Sequence, residues 1–370
     1  MTGRVGYTVL FLVFSALTWI ARAWADDILR WIPSTSSSDD TFGILSAYRV
    51  TFALAMFHTV HMVLLIGVRQ MSDIRAGLQN GLWNAKILFI VGLLVAAFSV
   101  PDDFFAYFYA WAALVGSALF VLVQLVILVD FAHFWAERWV CNYEQAADAD
   151  EESRWWWALL SAIVALYLLS LAGTVVMYVF FTRPADQCTL PSVLITLNLL
   201  LAVLVSLLAV HPSVQDASPR SGLLQAGVIV FYCTYLTFSS QTSLPESYGE
   251  ARCNQWTSTD PTSLLVGTVI VTVSVVYSTI RAAHKIGRRP DDTNSVPYNF
   301  SLFHLFFLLG TLYIAMLMTG WSTISTGTLA VNYGMGAVWT KAVASWACYL
   351  IYTWTLVAPI CITDREWDRA

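Results

Sequence analysis

Leu125-Val126-Ile127-Leu128-Val129-Asp130-Phe131-Ala132-His133-Phe134-Trp135-Ala136-Glu137-Arg138-Trp139 sets an acid, a histidine and a second acid inside one long apolar stretch. At 100° per residue, Asp130, His133 and Glu137 fall within an arc of about 60°, so a helix here carries one narrow polar face. Charge at membrane depth is costly and is normally turned toward protein or a water-filled cavity. That face is the first candidate for a working surface.

The stretch belongs to a longer apolar segment, roughly 104–140, which extends on the order of 55 Å as a continuous helix. The hydrocarbon core is only about 30 Å thick, so the helix must tilt strongly, project from the bilayer, or both. We expect a diagonal brace linking two helical groups. Further apolar runs lie at roughly 5–24, 46–68, 82–100, 155–182, 190–210, 221–240, 262–283, 299–319 and 335–361. The expected fold is therefore all-α, a polytopic membrane protein of about ten transmembrane helices.

Composition agrees. Of 370 residues, 58% are hydrophobic and 12% charged, against about 25% charged in a soluble domain. No stretch is large enough for a separate soluble domain, so residues 1–370 read as a single transmembrane domain. An acidic cytoplasmic linker is expected over 141–154 and a short second one over 284–298. The net charge of -5 and the absence of a basic stripe argue against nucleic acid as a partner. Sixteen Trp and sixteen Tyr suit interfacial belts, with Trp155-Trp156-Trp157 as one anchor.

Ala21-Arg22-Ala23 and Ala23-Trp24-Ala25 resemble cleavage sites, but the apolar run from Val5 to Ala21 exceeds the usual signal core; we expect a retained signal anchor. Arg69, Arg75, Arg138, Arg154, Arg281, Lys285, Arg288 and Arg289 gather on the side of the termini, which places both termini in the cytoplasm. The membrane itself is expected in the secretory pathway, at the cell surface or at the vacuole.

Cys188 and Cys253 both fall in loops on the opposite, oxidising side and are expected to form a disulfide. Cys141, Cys233, Cys348 and Cys361 should stay reduced. Lys86, near the end of the third segment, either pairs with Asp130 or snorkels to the headgroups. Arg49 and Lys341 lie near the outer surface, where they either hold lipid phosphates or snorkel. His58 and His61 share a helix face, yet no further ligands stand at fixed spacing and the six histidines are scattered, so no metal is expected. Nucleophile elbows, phosphate-cradling glycine loops and local Ser/His/Asp trios are missing, and neither catalysis nor a cofactor is expected. Asn198 and Gln124 are the obvious midspan amides. Asn299-Phe300-Ser301 reads as a glycosylation sequon on the cytoplasmic side, where it would go unused.

Several short stretches together resemble the serine incorporator family. They are Ala47-Tyr48-Arg49, Asn80-Gly81-Leu82-Trp83 with Lys86, and Val129-Asp130-Phe131-Ala132-His133 with Trp135, Glu137 and Trp139. Pro219-Arg220-Ser221-Gly222-Leu223-Leu224-Gln225 follows, then Tyr298, Ser301, Phe303 and His304, Val338-Trp339 with Lys341, Trp354-Thr355-Leu356-Val357-Ala358-Pro359, and Thr363-Asp364-Arg365. The cysteine-rich N-terminal segment usual in the family is not matched, and the stretch before Tyr298 is shorter than usual. The resemblance implies a long tilted helix linking two helical groups, with lipid bound in a groove between them. It also implies a role in serine supply for phosphatidylserine and sphingolipid synthesis and, for some members, lipid scrambling.

The leading expectation is a non-enzymatic lipid-handling protein whose partners are membrane phospholipids and sphingolipids. Asp130, His133 and Glu137 would line or brace a headgroup path, with Lys86 as counter-charge. Two alternatives stand: a carrier for serine or a similar polar solute, needing a midplane site at broken helices, and a scaffold that recruits lipid-synthesis enzymes. Homo-oligomerisation is left open by the sequence.

Overall fold

The structure, a computed structural model, describes residues 3–29, 39–146, 152–217, 222–245, 253–254, 296, 298–324, 331–333 and 335–361. Their helices are α1 (Gly3–Leu29), α2 (Asp39–Leu64), α3 (Ile74–Asn80), α4 (Trp83–Phe98), α5 (Ala110–Ala146), α6 (Glu152–Phe181), α7 (Thr189–Ala209), α8 (Pro212–Ala217), α9 (Leu223–Thr242), α10 (Phe300–Met318) and α11 (Met335–Cys361). A π-helical turn, Phe104–Tyr109, leads into α5, and β1 (Ser322–Ile324) pairs antiparallel with β2 (Val331–Tyr333). Eight of these helices are long and apolar enough to cross a membrane, and the bent pair α3–α4, counted as one broken span, would bring the number to nine. The span expected at 262–283 lies outside the described residues.

The long segment is longer than hydropathy suggests. Its candidate span runs from Phe104 to Gln145, 42 residues, because Glu144, Gln145 and Ala146 are good helix formers that prolong α5 past its apolar part. The acidic linker expected over 141–154 is correspondingly smaller: α5 ends at Ala146 and α6 starts at Glu152. Most of the 284–298 linker lies outside the described residues, though Val296 donates its N–H to the Arg69 carbonyl at 3.1 Å.

Described residues fall into two compact units, one drawn from Met1–Val121 and Thr259–Tyr333 and the other from Leu122–Ser258 and Gly334–Ala370. Helix α5 therefore gives its first turns to unit 1 and the remainder to unit 2. In unit 1, α2 is the central element, packed on α1, α4 and α10. Tyr7 of α1 is fully buried against Phe57, Trp83, Phe303 and His304. Small residues permit close approach: a Cβ on Gly6 would run into the Trp83 ring, and one on Gly116 into Leu312. The α3–α4 bend of 73° follows from Gly81 and from Leu82, which sits at φ 57°, a left-handed conformation a branched residue adopts only under constraint.

Arg49 does not reach lipid phosphate. It is 5% exposed, forms an ion pair with Asp102, and lies over the rings of Phe98 at 5.7 Å and Phe105 at 5.3 Å. Snorkelling fails because α2 is covered on this side by the π-helical turn, where Phe52 meets Phe104, Phe105 and Tyr109 at 5.3–5.6 Å.

Unit 2 packs α9 against α6, α7 and α11. Its α9–α11 seam is polar: Ser240 Oγ donates to the Val338 carbonyl at 2.9 Å, and Cys233 Sγ donates to the Ser345 carbonyl at 3.6 Å. Lys341 also leaves the role expected for it, because its ammonium is turned inward, donating to the Ser239 carbonyl at 3.0 Å and to Ser243 Oγ at 2.8 Å. The Cys188–Cys253 disulfide is present and closes a loop of 65 residues at the N-terminal end of α7. Cys141, Cys233, Cys348 and Cys361 are free thiols.

The Arg49–Asp102 pair yields a prediction. Asp102→Leu or Arg49→Met alone leaves a buried charge unmatched and should cost about 3–5 kcal/mol, whereas the double variant should recover most of that loss. Thermal unfolding of the purified protein in detergent reads the comparison. For the disulfide, a Cys188→Ala/Cys253→Ala variant should lack the mobility difference that the parent shows between non-reducing and reducing gels.

Candidate functional site

The polar face of α5 lies in unit 2. Its buried stripe is Leu125, Val129, Ala132 and Ala136, and Asp130, His133 and Glu137 stand beside that stripe, each half-buried. The spacing read from the sequence thus places all three along one edge of the buried surface. Asp130 acts electrostatically on His133, as expected one turn apart. Across from them, Tyr352 of α11 is completely buried, with its ring centroid 6.1 Å from that of His133.

Neither polar tip in this pair has a partner. His133 Nε2 and the Tyr352 hydroxyl are both shielded from solvent and make no hydrogen bond. Buried polar groups are nearly always satisfied, so two orphans on neighbouring rings mark a place where a donor or acceptor from outside the protein would be welcome.

One turn before Tyr352 on the same helix, the Tyr349 hydroxyl donates to Asn198 Oδ1 at 3.2 Å, and Asn198 Nδ2 donates to Thr234 Oγ1 at 3.3 Å. Asn198 and Thr234 belong to the wall of a groove of about 470 Å³ formed by α6, α7 and α9. That volume suits a lipid chain or a drug-sized ligand, for which pockets run about 300–1,000 Å³. Leu168, Leu171, Val203 and Leu207 at the groove are 52–62% exposed, so it opens onto the surface that faces lipid. Polar side chains on its wall include Tyr167 and Ser206, which share a hydrogen bond at 2.7 Å. A polar seam therefore runs from the groove wall to Tyr349, one turn from Tyr352, whose ring lies beside that of His133.

Aromatic rings extend along α5 beyond this point. Trp135 meets Phe131 at 5.9 Å and Trp139 at 5.3 Å, and Trp139 meets Trp155 of α6 at 6.2 Å. This ladder is suited to a headgroup-level belt at the end of the unit.

Lys86 is not part of this assembly. It belongs to unit 1, where Nζ donates to the Gln79 carbonyl at 3.1 Å and lies over the rings of Tyr7 at 4.9 Å and Trp83 at 4.6 Å. The Gln79 carbonyl at the end of α3 and two ring faces settle the ammonium within unit 1. Reading the sequence flagged Asn198 as a midspan amide but missed Tyr167, Tyr349 and Tyr352, whose hydroxyls look like belt tyrosines until their helices are packed. Among the described residues, no group of three or more His, Cys, Asp or Glu has metal-binding geometry.

A family model described as serine incorporator matches residues 1–289 and 285–365. The chain belongs to the serine incorporator family. It is 34% identical to a "Probable serine incorporator" of Nematostella vectensis, over 90% of this chain and 83% of that one. Similarity to "Serine incorporator 3" of Bos taurus is 32% over 87% of this chain and 80% of the relative. It is also 30% identical to "Membrane protein TMS1" of Saccharomyces cerevisiae, over 98% and 90% of the two chains. This serine incorporator is a multi-pass integral membrane protein.

The seam gives a prediction of its own. Tyr349→Phe removes the donor to Asn198 Oδ1 and leaves that buried oxygen bare, which should cost about 1–3 kcal/mol. Tyr349→Phe combined with Asn198→Leu should cost less than the sum of the two single changes, read by thermal unfolding.

Proposed function

We propose that this serine incorporator is a non-enzymatic lipid-handling protein that moves phospholipid or sphingolipid headgroups past the hydrocarbon along the seam of unit 2, with an acyl chain seated in the groove. The observation that carries this reading is the pair of orphaned tips, His133 Nε2 and the Tyr352 hydroxyl, at the inner end of a polar line that begins on the wall of a lipid-facing groove. A headgroup crossing a bilayer loses its water, and each hydrogen bond offered along the way offsets part of that desolvation cost. Asp130 holds His133 in place and favours a cationic part of the headgroup, while Tyr167, Asn198 and Tyr349 supply hydroxyl and amide contacts nearer the groove. The names of the relatives speak for a link to serine, which supplies the headgroup of phosphatidylserine and the long-chain base of sphingolipids. We place both termini in the cytoplasm, from the distribution of Arg and Lys.

Purified protein in liposomes with fluorescent phosphatidylcholine tests this by reduction of the outer-leaflet dye. The parent should bring well over half of the dye within reach of reductant, and protein-free liposomes about half. Tyr352→Phe is the informative variant: it removes an unpartnered hydroxyl, so stability should hold or rise by up to about 1 kcal/mol while leaflet exchange slows several-fold. Uptake of labelled serine without leaflet exchange would replace this reading with a carrier.

A further inference from the structure

Unit 1 holds a second buried polar assembly, which the lipid path does not use. His58 and His61 lie one turn apart on α2 and His304 faces them from α10, with His304 ring centroids 5.3 Å from His58 and 5.1 Å from His61. Exposure of the three residues is at most 3%.

Hydrogen-bond roles can be followed from one end. Gln79 Nε2 donates to the Tyr298 hydroxyl at 3.2 Å, which turns the amide oxygen toward His304, whose Nε2–H donates to it at 2.9 Å. Neutral His304 then has its lone pair at Nδ1, and that lone pair receives the Nδ1–H of His58 at 3.0 Å. His58 is left with a bare lone pair at Nε2, buried and without a partner. His61 ends the same way, because its Nδ1–H donates to the Phe57 carbonyl at 2.8 Å and its Nε2 is also buried and unpartnered.

Among the described residues, the neighbours supply no counter-charge. From α1 come Tyr7, edge-on to His304 at 4.8 Å, and Arg4, whose guanidinium covers the Tyr298 ring at 4.8 Å. From α2 comes Phe57, from α3 Gln79, and from α4 Lys86 and Trp83 around Tyr7. From α10 come Phe303 and Phe307. None of these contacts is a carboxylate, and the two cations, Arg4 and Lys86, are already present.

We propose that His58 and His61 form a sealed proton-binding site, and that uptake of one proton at an Nε2 releases α1 from α2 and α10. Both bare nitrogens are shut off from solvent, and a proton is a ligand that needs no cavity. The imidazolium that forms carries an N–H with no acceptor among the described residues and adds positive charge near Lys86. Packing around Tyr7 must then open to let water or an anion reach the new donor. Acid thus loosens unit 1, whatever unit 2 does with lipid.

Thermal unfolding in detergent between pH 7.5 and pH 5.5 tests the site. Because proton uptake at a bare Nε2 opens the packing, acid favours the loosened chain, whose imidazoles take up protons near the ordinary histidine value of about 6.5, and stability contributed by the cluster is lost as pH falls through that value. The parent should lose about 5 °C across the interval beyond what His58→Gln/His61→Gln loses. Equal losses in parent and variant would overturn the proposal. Should that variant not fold, nitrogen NMR of the parent with labelled histidine decides: two rings should show an unprotonated Nε2 at pH 7.5 and become imidazolium on acidification. Rings already protonated at Nε2 at pH 7.5, or stabilisation by added zinc with an unchanged acid response, would rule it out.

Discussion

Hydrocarbon offers neither hydrogen-bond donor nor acceptor, so every polar side chain inside a span has to be settled by protein. Here the buried cations are settled in three ways. Arg49, which never gives up its charge, takes a carboxylate partner in Asp102 and two ring faces. Lys86 takes a helix-end carbonyl and two rings, and Lys341 takes a carbonyl and a serine hydroxyl. Hydroxyls largely settle themselves: Ser15, Thr18, Thr237 and Thr311 each donate to the carbonyl four residues earlier in their own helix. Such residues add polarity to a wall without asking anything of a neighbour.

Among the buried polar atoms that make no hydrogen bond, two pairs bear on function. His133 with Tyr352 in unit 2, and His58 with His61 in unit 1, hold buried tips that the rest of the fold leaves bare. The two pairs differ in what surrounds them. Those in unit 2 connect by a polar seam to a groove open to lipid, which favours a bulky ligand. Those in unit 1 are enclosed by Tyr7, Phe57 and Phe307, which favours a ligand of negligible size.

Much of this was legible in the chain itself. The apolar runs located the spans closely, since hydropathy over about twenty residues directly reports fitness to cross the bilayer. Cys188 and Cys253 were legible from sidedness. Arg49 and Lys341 were not, because position along a span tells how deep a cation lies and says nothing of which helix covers it. His58 and His61 could be placed on one face, but His304 is 246 residues from His58, and Gln79 sits on a short helix with too few apolar residues to be read as a span. The groove was invisible for a different reason: a leucine facing lipid and a leucine facing another helix are the same letter.

Helix α5 serves both units, with Phe120 against Tyr313 in one and His133 against Tyr352 in the other. Within unit 2, a single residue added between the buried Leu125 and His133 would turn the imidazole by about 100° about the helix axis relative to Leu125 and swing it away from its tyrosine. Only insertions or deletions close to a whole number of turns keep both residues in register. The interval from Leu125 to His133 is thus quantised, free to change in chemistry yet nearly fixed in length.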